Sequence, residues 1–194
     1  DKETLQLPQV QLDLMEAMAE SGKPVVLCLM AGSDIDLSYA EEHFDAVMVL
    51  WYPGAEGGKA AARVLFGDVS PSGKLPVTFY NSLEELPDFT DYAMKGRTYR
   101  YMENKAQFPF GYGLSYTDFE QKMGDVTVAD GKVSFDVTVT NNGTAAGKDV
   151  VEVYYNPPYT NGGIEKASAN LIDFAKTDVL QPGESQTINV SFSQ

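Results

Sequence analysis

Cysteine is nearly absent from this chain: Cys28 stands alone among 194 residues. No disulfide can close within it, and no cysteine-based zinc knuckle can be assembled. In the apolar run Pro24–Met30, a lone thiol reads as a small core hydrophobe rather than a nucleophile, which leaves the compartment open: secreted, periplasmic or cytoplasmic. Histidine is equally scarce. His43 follows Glu41-Glu42 and precedes Phe44, so a metal site has no second imidazole, a Ser-His-Asp triad would depend on this one ring, and a solvated helix end is the expected place for it. No Gly-x-Ser-x-Gly elbow occurs. Basic residues number 14 against 28 acidic ones, a formal net charge of −14. Nucleic acid and anionic membranes are therefore poor partners, and a neutral or cationic ligand is expected. No apolar run approaches the roughly 20 residues that span a bilayer. The opening Asp1-Lys2-Glu3-Thr4 is no signal peptide, and a chain beginning at Asp1 is expected to derive from a longer one. Internal repeats and low-complexity segments are missing too.

What is present supports real cores, since 43% of residues are apolar and 11% aromatic, in a length suited to one large or two small domains. Residues 8–22 predict an amphipathic helix, opened by Pro8, closed by Gly22, with Val10, Leu14, Ala17 and Met18 on its buried face. Pro24–Met30 and Ala46–Trp51 predict strands covered on both faces, with a short helical piece over Leu37–His43 between them. Pro53-Gly54 and Gly57-Gly58 then lead into a helix over Lys59–Phe66, stopped by Gly67. Ser70–Gly73 is a turn before a predicted strand Lys74–Tyr80, which Pro76 confines to an edge or bulge. Helix, strand, helix, strand, helix is the rhythm of an α/β layer with a mostly parallel sheet.

Beyond Tyr80 the chain turns aromatic. Arg97, Tyr99 and Tyr101 alternate with Thr98 and Arg100 as in a strand, and seven aromatic residues between Tyr99 and Phe119 are read as a belt packing one domain against the next. From about Phe119 the period becomes two. Lys132–Val139, Val150–Tyr155, Leu171–Val179 and Gln186–Phe192, with turns at Asn141-Asn142-Gly143 and Gln181–Glu184, predict an antiparallel β-sandwich. Ser193-Gln194 falls at the end of a strand pattern, so the sandwich is expected to be truncated or to borrow a strand.

Candidate chemistry is sparse. Gly54, Gly57 and Gly58 match neither dinucleotide nor P-loop fingerprints and serve a tight strand-to-helix turn. Asp34, Asp36, Glu56, Asp68, Asp88 and Asp91 lie in predicted loops, and glycoside cleavage needs two carboxylates across a sugar, but sequence pairs none of them.

The collinear set Trp51–Gly58, Val64–Asp68, Pro71–Phe79, Gly96–Tyr101 and Phe108–Thr117 resembles the C-terminal region of glycoside hydrolase family 3, the β-glucosidases, β-xylosidases and relatives. Val137–Gly143, Val150–Tyr154 and Leu180–Glu184 resemble the fibronectin type III-like domain that often accompanies it. The resemblance implies a partial α/β-sandwich domain over residues 1–117 and a β-sandwich of immunoglobulin-like type over 118–194. It implies a retaining enzyme in which a (β/α) barrel supplies the nucleophilic Asp and the sandwich domain the acid/base Glu. Neither motif occurs here, so no catalytic residue is carried over, and the isolated chain is expected to be inactive. Glu56 is the one candidate for facing the substrate. No cofactor and no metal are implied; the partners implied are a β-glycoside and the barrel domain of the same polypeptide. A non-catalytic carbohydrate-binding module, using the aromatic segment or the Pro157–Gly162 loop as a platform, is the competing reading.

Overall fold

The computed structural model describes residues 3–193. Asp1, Lys2 and Gln194, and the expectations drawn from the two chain ends, lie outside the described residues. The chain forms two units: the part up to Ala62 joined by Pro76–Phe110, and Arg63–Leu75 joined by the chain from Gly111 onward. Together they give a mixed α/β and β architecture with few helices.

In the first unit, α1 runs over Gln9–Ala19, entered through Pro8, whose carbonyl accepts from Gln11 N (2.8 Å) and Leu12 N (3.2 Å). The face it buries is not the predicted one. Met15 is buried, whereas Val10, Leu14 and Met18 are 73%, 61% and 45% exposed. Apolar residues occupy both sides of this helix, and the described chain covers only one of them. The strands β1 (Val26–Leu29) and β2 (Ala46–Val49) pair in parallel, Val26 opposite Ala46 and Leu29 opposite Val49, with the short helix α2 (Ser38–His43) in the connection.

The two-sided burial expected of β1 is corrected in the same way. Alternation sends Leu27 and Leu29 to the covered side, while Val26, Cys28 and Met30 stay exposed, because a strand turns alternate side chains to opposite faces and one face has no layer on it among the described residues. Cys28 is therefore an exposed thiol rather than a core residue.

Helix α3 (Gly57–Leu65) starts two residues ahead of Lys59 and stops, as expected, at Gly67 with φ 78°. The predicted strand Lys74–Tyr80 shrinks to a single antiparallel bridge, Phe79 to Phe108; Pro76 has no N–H with which to continue a ladder. The predicted strand through Tyr99 is instead the helical turn α4 (Thr98–Tyr101). Positive φ at Gly96 (71°) and Thr98 (55°) bends the chain, and Tyr101 N and Met102 N close i→i−4 bonds to Arg97 O and Thr98 O.

In the second unit, β5 (Lys132–Asn141) is the central strand of a four-stranded antiparallel sheet. The strands β3 (Phe119–Met123) and β4 (Thr127–Ala129) pair along one edge and β8 (Ser185–Ser193) along the other. Asp130 (φ 50°) and Gly131 (φ 71°) link β4 to β5, the signature of a two-residue hairpin turn. A second sheet pairs β6 (Val150–Tyr155) with β7 (Asn170–Lys176). Phe135, Val137 and Val139 of β5 and Val190 of β8 meet Val151 of β6 and Leu180 in one core, so the two sheets face each other as a sandwich. The turn at Ser70 joins this unit: Ser70 Oγ lies 2.9 Å from Ser115 Oγ and accepts from Tyr116 N at 3.0 Å. Lys74 Nζ donates to Gly113 O at 3.1 Å and pairs with Asp149 at 3.6 Å.

Candidate functional site

Parallel strands deliver their loops to one end of a sheet, and ligands of α/β layers gather outside the carboxyl ends of those strands. In the first unit that edge is where β1 and β2 hand over to the segments 30–37 and 50–57. Leu50 N still continues the ladder to Leu29 O at 2.8 Å. Immediately after it, Trp51 adopts φ 51°, a left-handed conformation that is an outlier for a bulky side chain and is held only where surroundings enforce it. Phe79, fully buried, provides the enforcement: Trp51 packs against it edge-on at 6.1 Å and 81°, and Phe108 does so from 6.2 Å. The strain is followed by an exposed ring, since Tyr52 is 83% exposed. A methyl group at Gly32 would overlap Tyr52 Oη and Cζ, and one at Gly57 would overlap Pro53. Gly54 supplies a positive φ of 68°. Three glycines thus serve this turn, two of them by leaving room for a side chain.

The predicted carboxylates are not gathered into a pair. Asp34 Oδ2 accepts from Tyr80 N at 2.9 Å, tying the loop after β1 to the segment that carries Phe79. Asp36 accepts from Ser38 N (2.9 Å), Ser38 Oγ (2.5 Å) and Gln6 Nε2 (2.5 Å). Partial burial pushes its carboxyl up, and these hydrogen bonds outweigh it, leaving the group below its ordinary value. Asp88 closes a turn on Thr90 N and Oγ1, which lowers its pKa; Asp91 accepts from Ala93 N at 2.8 Å. Asp68 is exposed and belongs to the second unit. Glu56 stands in solvent and forms an i,i+3 ion pair with Lys59 at 3.3 Å, at the lip of the same turn as Tyr52. His43 ends α2 exposed, with Nδ1 2.9 Å from Tyr39 O and its ring stacked on Tyr39 at 4.2 Å. Elsewhere in this unit a cleft of about 300 Å³ is lined by Thr78, Tyr99, Met102, Asn104, Lys105, Ala106 and Pro109; none of the candidate carboxylates lines it, and Tyr99 is its one ring from the aromatic belt.

Residues 1–116 match the family model described as the glycosyl hydrolase family 3 C-terminal domain. The chain belongs to glycoside hydrolase family 3. It is 42% identical over 196 residues to a xylan 1,4-beta-xylosidase of Xylanibacter ruminicola, an alignment covering all of this chain and 22% of that protein. It is 38% identical to a periplasmic beta-glucosidase of Salmonella typhimurium, over 94% of this chain and 26% of the relative. Among solved structures, the beta-glucosidase of Kluyveromyces marxianus superposes with a TM-score of 0.88 at 33% identity, over 100% of this chain and 24% of that one. Beta-glucosidase 3B of Thermotoga neapolitana, in complex with alpha-D-glucose, gives 0.85 at 30% identity, over 100% and 30%. The family 3 chain thus spans about a quarter of the length of these relatives.

Sequence reasoning had the Trp51–Gly58 turn as the family's mark but missed the ring it presents. The signal was there in part: an aromatic residue directly before Pro-Gly at a strand exit is placed at a chain reversal, where it has little room to be buried.

Proposed function

We propose that this chain works as part of a retaining, exo-acting β-glycosidase that releases terminal β-linked glucose or xylose, and that its first unit forms one wall of the sugar pocket. The observation that carries the reading is the Trp51–Gly57 turn, strained and built around glycines at the carboxyl edge of a parallel pair, in a chain whose relatives are named β-glucosidases and β-xylosidases. The nucleophilic Asp and the acid/base Glu come from parts of the polypeptide beyond this chain, including a barrel domain. Support comes from Val10, Leu14 and Met18 of α1, Val26 of β1 and Met30 just after it, which form apolar surface in water of the kind that marks an interaction face. Residues 1–117 then act as the later part of an α/β-sandwich domain with a mostly parallel sheet, and 118–194 as a fibronectin type III-like support. Glu56 faces the pocket from the lip of the turn. The net charge of −14 suits a neutral sugar held by hydrogen bonds and ring stacking. The test is hydrolysis of aryl β-glucoside and β-xyloside by the full-length polypeptide, with the 194-residue chain expected to be inactive on both. A full-length protein that cleaves neither refutes the reading.

The competing reading, a non-catalytic carbohydrate-binding module, has the exposed rings of Tyr116 and Tyr159, at 51% and 58%, in its favour. Saturable retention of the 194-residue chain on insoluble xylan or cellulose would establish it.

A further inference from the structure

We infer that Tyr52 is a sugar-stacking residue of the substrate site, and that Gly32 is its positioning residue. This deepens, and rests on, the glycosidase reading above. Four observations converge on the one ring. It sits at the carboxyl edge of the β1–β2 parallel pair, where α/β layers bind ligands. The residue before it, Trp51, holds a left-handed φ of 51°, and strain of this sort persists only where the surroundings enforce it and clusters at active sites and ligand clamps. Tyr52 is 83% exposed, so the strain is not spent on burying it. Its hydroxyl end nevertheless occupies the space above Gly32 that a Cβ would fill, which fixes the ring at one end and leaves its flat face open.

A phenol held in this manner has the properties that recognise a pyranose. The C–H groups on one face of a β-linked glucose or xylose are weakly positive and meet the negative face of an aromatic ring. A sugar is uncharged, so the chain's excess of acid neither attracts nor repels it. An anchored ring also loses little rotamer entropy on binding, which favours stacking over a freely rotating side chain. Gly32 acts through Tyr52: the atoms nearest a Cβ placed there all belong to that ring, so a methyl group drives the ring off its seat.

The test uses the full-length polypeptide with cellobiose and xylobiose as substrates and four variants, Tyr52→Ala, Tyr52→Leu, Tyr52→Phe and Gly32→Ala. Tyr52→Ala and Tyr52→Leu are expected to raise KM about tenfold on the disaccharide the wild type cleaves, with kcat within about threefold, because a uniform binding contact is lost. Tyr52→Phe keeps the face and should stay within about twofold of wild type. Gly32→Ala should reproduce the KM increase although Tyr52 is intact. A structural role alone would instead lower the melting temperature and kcat together, without the selective rise in KM. Tyr52→Leu retains bulk, so it decides the matter should Tyr52→Ala fail to fold. An active wild type whose Tyr52→Leu variant keeps its KM overturns the assignment and leaves the glycosidase reading standing. A wild type that cleaves neither disaccharide nor aryl glycoside overturns both.

Discussion

Asn141 closes the second unit, and replacing it tests how that unit is held. It is fully buried, and its amide is saturated. Oδ1 accepts from Thr117 Oγ1 at 2.7 Å and from Gly143 N at 3.1 Å, while Nδ2 donates to Ala145 O at 2.8 Å and Leu180 O at 2.9 Å. One side chain thus ties the end of β5, the turn after it, the chain before β3 and the connection into β8. In Asn141→Ala two partners keep a bond, since Gly143 N also reaches Asp118 O and Leu180 O also accepts from Gly147 N. Thr117 Oγ1 and Ala145 O lose theirs. Thr117 Oγ1 is buried and counts in full at about 1–3 kcal/mol for a group left unsatisfied, whereas Ala145 O is part-buried and adds less; the loss is thus at least about 1–3 kcal/mol, against a total of roughly 5–15 for a domain.

Asn141→Asp sharpens the argument, because it preserves shape and the two accepted bonds but turns an oxygen toward two carbonyl oxygens. The buried carboxylate is disfavoured by desolvation and by those carbonyls, so its folded pKa rises above the ordinary value of about 3.9. The sign follows: the folded state then holds the proton more tightly, and stability falls as pH climbs from the unfolded value through the folded one. Asn141→Asp should therefore be more stable at pH 4 than at pH 7, relative to wild type, whereas the Asn141→Ala deficit should be flat. Hydrogen exchange of the β5 and β8 amides, read by mass spectrometry on peptides from these strands, measures the opening free energy in this unit. An Asn141→Ala loss under about 0.5 kcal/mol, below the range of one orphaned group, would refute the reasoning, as would an Asn141→Asp deficit independent of pH.

Three further outcomes follow from the same kind of reading. A methyl group at Gly113 would overlap the backbone oxygen of Gly73, so Gly113→Ala should destabilise the second unit by about 1–3 kcal/mol, as overpacking does, seen as faster exchange in β3 and β6; unchanged exchange would mean that the turn yields. The Asp36 carboxyl is depressed below 3.8, so its contribution is present above that pH and lost as pH falls through the lower folded value; Asp36→Ala should flatten the acid limb of the stability profile of the first unit. Burial, followed by Lys148 and Lys74, lowers Lys176 below 10.5 against the pull of Asp149; Lys176→Met should therefore be more stable than wild type at pH 7, with the gap closing as pH rises towards 10.5, and a gap that widens instead would reverse the assignment.

Legibility in the sequence tracked how local the determinant was. Strict alternation over Lys132–Val139 named β5 because period two and a covered face coincide there, Phe135, Val137 and Val139 all being buried. The same period misled at Arg97–Tyr101, where it came without an apolar face, and two positive φ values decided for a turn of helix. The β4–β5 hairpin was written in Asp130-Gly131 and passed over, although Asp-Gly between strands is a strong short-range signal. Asn141 was read as the first residue of a turn; nothing local distinguishes a turn asparagine from a buried one, because its partners Thr117, Ala145 and Leu180 come together only in the fold.

The misreadings of α1 and β1 are of another kind and bear on the functional conclusion. α1 was read as burying the face of Val10, Leu14, Ala17 and Met18, and β1 as covered on both faces; both readings were sound as physics, because a contiguous apolar patch left in water marks a surface that something else uses. The described residues cover Met15, Leu29 and their neighbours and leave Val10, Leu14, Met18 and Met30 outside. What the sequence encodes at these positions is therefore a demand on neighbours rather than a property of the element itself. The exposed Tyr52 differs from them in the one respect that matters for assigning a site. The stripe on α1 is exposed on a regular helix with no irregular backbone and asks only for cover, whereas Tyr52 is exposed through a strained residue, a proline and glycines that leave it room. Effort of construction around an exposed ring separates a ligand surface from a packing surface.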